Sequence, residues 1–148
     1  MIRFLVLLHL LGVIVWIGGM TFMVFCLRPV AAIQLPPPQR VSLLAAVIGR
    51  FLGWVGAALL LIWGSGIARF VQVGAVSIPP HWHAMAKVGA GMTVIFLLIA
   101  LRFYPRLRAA VAAQDWPAGG RAMDTIRKLV VTNLVLGVAT VAIAVLGA

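Results

Sequence analysis

The chain has 148 residues, of which 64% are hydrophobic and only 9% are charged, and its formal net charge is +10. A soluble domain carries about 25% charged residues, so this composition excludes an ordinary soluble protein and indicates an integral membrane protein. The positive charges flank apolar runs instead of forming one basic face, which argues against nucleic-acid binding.

Four apolar runs approach or exceed the length needed to cross a bilayer, about 20 residues. In chain order they cover residues 4–27, 51–68, 83–101 and 129–148, and only the third is interrupted by a charge, that of Lys87. We therefore expect one all-α domain, residues 1–148, built as a bundle of four transmembrane helices. The first run is longer than the core of a cleaved signal peptide, so we expect it to remain in the mature protein.

The helix boundaries are marked by proline and glycine. Residues 36–38 and 79–80 are prolines that predict the starts of the second and third helices, since proline is well tolerated in a first helical turn. Pro117, Gly119 and Gly120 predict the turn between the third and fourth helices.

The connections between the runs differ in charge, which predicts the orientation. The third connection holds six basic residues and the first holds Arg28 and Arg40, whereas the second, residues 70–83, holds no charged residue. Because basic loops stay in the cytoplasm, we expect both termini to lie on the outer side of the membrane.

Histidine and methionine occur inside or beside the apolar runs at helical spacing. His81, His83, Met85 and Lys87 lie at the outer end of the third helix, so the predicted topology places all three histidines on the same side of the membrane. Ionisable groups in a membrane are costly and often mark function. On the first helix one stripe contains His9, Val13, Trp16, Met20 and Met23.

Each of these residues also has a purely structural interpretation. His9 can hydrogen-bond a neighbouring helix, and His81 can lie at the membrane interface, where aromatic rings are favoured. Lys87 can extend its ammonium to the surface while its stem follows the helix. Met20 and Met23 can simply fill the bundle core.

The residue types point to ligand binding more than to acid–base catalysis. No acidic residue lies in an apolar run, which excludes paired carboxylates and leaves no acid to orient a histidine for serine hydrolase chemistry. Imidazole and thioether groups suit copper. The same groups hold haem iron, and His9 opposite His83 is the candidate pair of haem b ligands.

The stretch "LHLLGVIVWIGGMTFMVFCLRP", residues 8–29, resembles the first-helix signature of the bacterial copper resistance protein D (CopD) family. Its pattern is Leu-His, an apolar turn, Trp, a Gly-Gly pair, an apolar run and Leu-Arg-Pro. The resemblance implies a minimal single-domain, multi-pass member of the bacterial inner membrane, with both termini periplasmic. Such a member binds or moves copper near the periplasmic face and need not be an enzyme. It maps the metal contacts to His9, His81, His83 and Met85.

A second resemblance is to the HemJ-type protoporphyrinogen oxidases, which also begin with a Leu-His pair followed by tryptophan and glycine. It implies a haem-binding membrane enzyme in which His9 and Lys87 match the family's histidine and lysine. A small structural membrane subunit is the third interpretation. The expected partners are the lipid bilayer, a copper ion or haem, and either a second copy of the chain or a periplasmic copper-binding protein.

Overall fold

Four long helices and no strand form the described part of the chain, residues 2–74 and 78–147 of a computed structural model. Each helix contains a window apolar and long enough to cross a membrane, so the predicted all-α, four-span fold is confirmed. At 1.5 Å per residue the helices are about 45–55 Å long, and each therefore extends beyond a hydrocarbon core of about 30 Å. The helices are α1 (Ile2–Gln34), α2 (Pro37–Val73), α3 (Pro80–Ala112) and α4 (Trp116–Leu146).

Consecutive helices run antiparallel and are tied by hydrogen bonds between side chains and neighbouring helices. Trp63 Nε1 of α2 donates to Thr93 Oγ1 of α3 at 3.1 Å, and Asn133 Nδ2 of α4 donates to the carbonyl of Met92 on α3 at 3.3 Å. One end of the bundle therefore holds the starts of α1 and α3 and the ends of α2 and α4. We name it the histidine end, because all three histidines are there, and we name the opposite end the basic end.

Helices α1 and α3 each continue past an internal proline, because the turn before the proline is a wider π-helical turn. A π-helical turn, Met23–Leu27, precedes Pro29, and a second, Ile99–Phe103, precedes Pro105. Proline lacks an N–H and clashes with the carbonyl four residues earlier, and a wider turn relieves that conflict. Both helices thus extend past the apolar runs seen in the sequence.

The prolines at residues 36–38 and 79–80 do precede or open helices, as predicted, but the prediction for the last turn was wrong. The chain reverses at residues 113–115, and α4 already begins at Trp116 with Pro117 in its first turn. The Asp115 carboxylate accepts a hydrogen bond from the Ala118 amide at 3.0 Å and so caps the helix. Gly119 is instead a packing residue, because a Cβ there would lie 3.0 Å from Cγ1 of Val41 on α2.

The buried core lies in the middle of the bundle and at the basic end. Trp16, Met20 and Met23 of the α1 stripe are buried there, together with Leu107 and Ile126. Many large apolar side chains face outward instead, which indicates a lipid environment. Among the most exposed are Phe4, Ile14, Phe22, Phe25, Trp54, Leu60, Val71, Leu101 and Val135.

Candidate ligand site

A cavity of about 270 Å³ lies among all four helices at the histidine end. Its wall is almost entirely apolar and aromatic, and its polar groups are few: the imidazole of His9, the guanidinium of Arg69 and the hydroxyl of Thr140 are among them. Ligand sites in proteins have this character, an apolar concavity with a small number of placed polar groups. We name it the His9 cavity.

The ring of His9 is fixed by α2. Its Nδ1 lies 3.1 Å from the carbonyl oxygen of Ile62 and 3.1 Å from Oγ of Ser65, which is buried. A carbonyl oxygen only accepts, so this contact requires the proton on Nδ1, and Nε2 then carries the free lone pair. Histidines that bind metals are oriented in this way, by donating from the other ring nitrogen to a carbonyl or similar acceptor.

Two methionines of α3 line the same cavity as His9. Met85 and Met92 are seven residues apart, which places them on one face of the helix. Oγ1 of Thr140 lies 4.0 Å from Sδ of Met92 but only 2.8 Å from the carbonyl of Leu136. Because a hydroxyl has one proton, the shorter bond takes it, and the thioether of Met92 keeps its lone pairs for another partner.

The mouth of the cavity carries one positive charge. The guanidinium carbon of Arg69 lies 4.4 Å from the ring centroid of Trp82, and the Phe70 ring lies 5.6 Å from the same ring. The aromatic face stabilises the cation through its quadrupole. A ligand entering from the histidine end therefore meets an arginine and two aromatic rings first.

The other residues predicted for the site lie away from the His9 cavity. His83 is exposed and meets the Phe70 ring edge-on at 5.9 Å between centroids, and Lys87 is also exposed. His81 is half-buried next to the last turn of α4, where a Cβ on Gly147 would lie 3.0 Å from the Cβ of His81. Within residues 2–74 and 78–147, no three His, Cys, Asp or Glu side chains gather as a metal-binding group.

Helix geometry explains this separation. Each residue turns the helix by 100°, so His83 and Lys87 both lie about 200° from Met85. Since Met85 faces the cavity, those two side chains face outward. Of the predicted site residues the structure brings His9 and Met85 to one cavity, and it adds Met92, which the seven-residue spacing from Met85 could have indicated.

Comparison of the chain with protein-family models, with curated proteins and with solved structures finds no match.

Proposed function

We propose that this membrane protein binds a cuprous ion in the His9 cavity and thereby buffers or moves copper. The observation that carries the proposal is the hydrogen bond from His9 Nδ1 to the carbonyl of Ile62, which leaves Nε2 as a ligand in a cavity shared with Met85 and Met92. The first-helix resemblance to the CopD family supports the same element, because His9 belongs to that pattern.

The donor set selects Cu(I) over harder or more highly charged ions. Thioether and imidazole groups are soft, neutral ligands that suit Cu(I). The cavity wall carries no carboxylate, and Arg69 adds a positive charge at the mouth, so a divalent cation gains no charge compensation there. A soft monovalent cation is therefore the metal ion for which the electrostatic cost of leaving water for this cavity is smallest.

The charge distribution supports an orientation with the His9 cavity on the periplasmic side. Nine of the twelve basic residues belong to the basic end, and only Arg3, Arg69 and Lys87 belong to the histidine end. The positive-inside rule thus favours the basic end on the cytoplasmic side and both termini on the opposite side. The resemblance to the CopD family makes a bacterial inner membrane the proposed location.

The test is a Cu(I) titration of the detergent-purified chain against a competing chelator under reducing conditions. We expect one Cu(I) per chain. Loss of a partner that merely orients a ligand costs about 10–100-fold in metal affinity, so His9→Ala, which removes a ligand, should cost about 100-fold or more. Met85→Leu and Met92→Leu should each weaken binding, and the double variant should weaken it further.

His83→Ala is the matched control, because it removes an imidazole from the same end but not from the cavity wall. We expect it to bind Cu(I) like the wild type. If it loses as much affinity as His9→Ala, the ligands are the three histidines of the sequence-based hypothesis and not the residues of the cavity.

Haem b is the second candidate, and one specific observation favours it. Arg69, which lines an apolar and aromatic cavity, would hold a haem propionate, and His9 Nε2 and a thioether of α3 would hold the iron. If haem were bound, it would supply electron transfer, and this chain's own residues would hold it. The cavity, at about 270 Å³, lies just below the range of roughly 300–1,000 Å³ for organic ligands, so a macrocycle requires the helices to part and a single ion does not.

The visible spectrum of the purified protein separates the two candidates. A Soret band that is absent from His9→Ala and reduced in Arg69→Gln would assign haem. Copper retained without such a band would assign the metal. A protein that holds neither would correspond to the structural-subunit interpretation.

A further inference from the structure

A second cavity, of about 730 Å³, lies at the basic end between α1, α2 and α4. We name it the basic groove. It is strongly charged, because four cationic side chains and one carboxylate line it. The charged lining residues are Arg28, Arg40, Asp124, Arg127 and Lys128.

The four cationic side chains differ in the hydrogen bonds and ion pairs that they already make within the protein. Arg28 is half-buried, and its Nη2 donates to the carbonyl of Met123 at 3.2 Å, which ties α1 to α4. Asp124 pairs with Lys128 at 2.9 Å and with Arg127 at 3.6 Å, all on the exposed face of α4. One carboxylate cannot neutralise four cations, so the groove keeps an excess of three positive charges.

The rest of the wall is apolar and lies where the lipid headgroups of a bilayer would be. Val24 and Leu44 line the groove beside the cations, and Val131 does so with part of its side chain exposed. Arg28 directly follows the apolar run of α1, and Lys128 directly precedes that of α4. The groove therefore offers cations at the end of the membrane spans and an apolar wall next to them.

We propose that the basic groove binds the phosphate group of an anionic phospholipid, with the acyl chains along its apolar wall. Arginine recognises phosphate oxygens through pairs of N–H donors, and basic pockets between transmembrane helices bind anionic headgroups. Arg40 and Arg127 are held more weakly within the protein than Arg28 is. Arg40 Nη1 donates to the carbonyl of Ala32 at 3.5 Å and Arg127 pairs with Asp124 at 3.6 Å, whereas the half-buried Arg28 donates to the carbonyl of Met123 at 3.2 Å. The proposal is independent of what the His9 cavity binds.

The experiment compares three probes on the delipidated full chain in detergent: phosphatidylglycerol, phosphatidylcholine and inorganic phosphate. The shift of the unfolding midpoint with probe concentration gives an apparent affinity, because a ligand that binds only the folded state stabilises it by mass action. We expect phosphatidylglycerol to raise the midpoint well above any effect of phosphatidylcholine or of phosphate.

Two double variants with the same change of charge locate the site. Arg40→Gln with Arg127→Gln should weaken phosphatidylglycerol binding by about fivefold per charge removed. Arg108→Gln with Arg121→Gln removes two exposed cations of the basic end outside the groove, and should bind like the wild type. Asp124→Asn should strengthen binding, because it removes the carboxylate that competes for the cations.

The outcomes are distinct. One outcome is that inorganic phosphate raises the unfolding midpoint as strongly as phosphatidylglycerol does, and that this effect is lost in the Arg40→Gln, Arg127→Gln variant. That result would support phosphate recognition by the groove and would identify soluble phosphate as the ligand. An equal response to both lipids would overturn the proposal. The proposal would also be overturned if the groove variant and the control variant lost phosphatidylglycerol affinity equally. The binding would then reflect a general attraction of the anionic lipid to the basic end.

Discussion

The two ends of the bundle are packed differently. At the histidine end, residues 2–11, 60–74, 78–91 and 138–147 contain one buried side chain, that of Ser65, and it contacts His9. The middle and the basic end hold the buried core, including Leu107, Ile126 and Val55. The comparison indicates that the middle and the basic end supply most of the packing stability, whereas the histidine end is built around the His9 cavity. Substitutions at the two ends should therefore affect different measurements.

A matched pair of leucine truncations gives the largest expected effect. Leu107 is fully buried at the basic end, whereas Leu10 lines the His9 cavity and is 50% exposed. Replacing a buried leucine by alanine lowers the free energy of unfolding by about 2–5 kcal/mol, and we expect Leu107→Ala to fall in that range. Leu10→Ala should lower it by about 1 kcal/mol or less, since half of its surface is already uncovered.

Chemical denaturation in detergent measures both variants. A loss in Leu10→Ala equal to that in Leu107→Ala would show that the histidine end contributes to stability as much as the core does, and the separation of the two ends would be wrong.

Gly12 differs from the loosely packed residues around it, because α1 and α2 are in close contact there, at the edge of the histidine end. A substitution at Gly12 should therefore affect stability although it lies near the cavity. A Cβ at Gly12 would lie 2.8 Å from the carbonyl oxygen of Ala58 and 2.7 Å from Cγ1 of Ile62 on α2. The carbonyl is backbone and cannot rotate away, so the helices must separate. Overpacking of this kind costs about 1–3 kcal/mol, and we expect Gly12→Ala to lose that much.

Gly18→Ala is the control on the same helix. A Cβ at Gly18 would meet no atom within 4 Å, so the substitution should leave the free energy of unfolding unchanged or slightly raise it, since alanine is the better helix former. The same pair reports on the site: Gly12→Ala should also weaken Cu(I) binding, because His9 Nδ1 donates its orienting hydrogen bond to the carbonyl of Ile62 on the displaced helix. Unchanged stability and binding in Gly12→Ala would contradict this account.

The sequence predicts the spans, the proline-marked helix starts and the inward face of α1, because each follows from local periodicity. It does not predict which face of α3 points inward. That helix is apolar nearly all round, so its own pattern does not distinguish the face of Met85 from the face of His83 and Lys87. The choice is made by packing against α1, α2 and α4, which puts Met85 on the wall of the cavity.

The π-helical turns were also beyond the sequence analysis. Pro29 and Pro105 lie inside α1 and α3, where a proline ordinarily disfavours the helical conformation of the residue before it. The structure continues through both prolines because the wider turns absorb the clash, and the helices gain the length that forms the basic end. Tertiary contacts there, such as Arg28 with Met123, depend on that continuation.

The smallest expected effect concerns the cap of α4 at the basic end. Asp115 accepts from the Ala118 amide at 3.0 Å, and removal of such an acceptor costs about 1 kcal/mol. Asp115→Ala should therefore lower the free energy of unfolding by about 1 kcal/mol. Asp115→Asn should leave it nearly unchanged, since asparagine caps helices as well as aspartate does. A cost shared by both variants would mean that the negative charge, and not the hydrogen bond, stabilises the start of α4 among its many arginines.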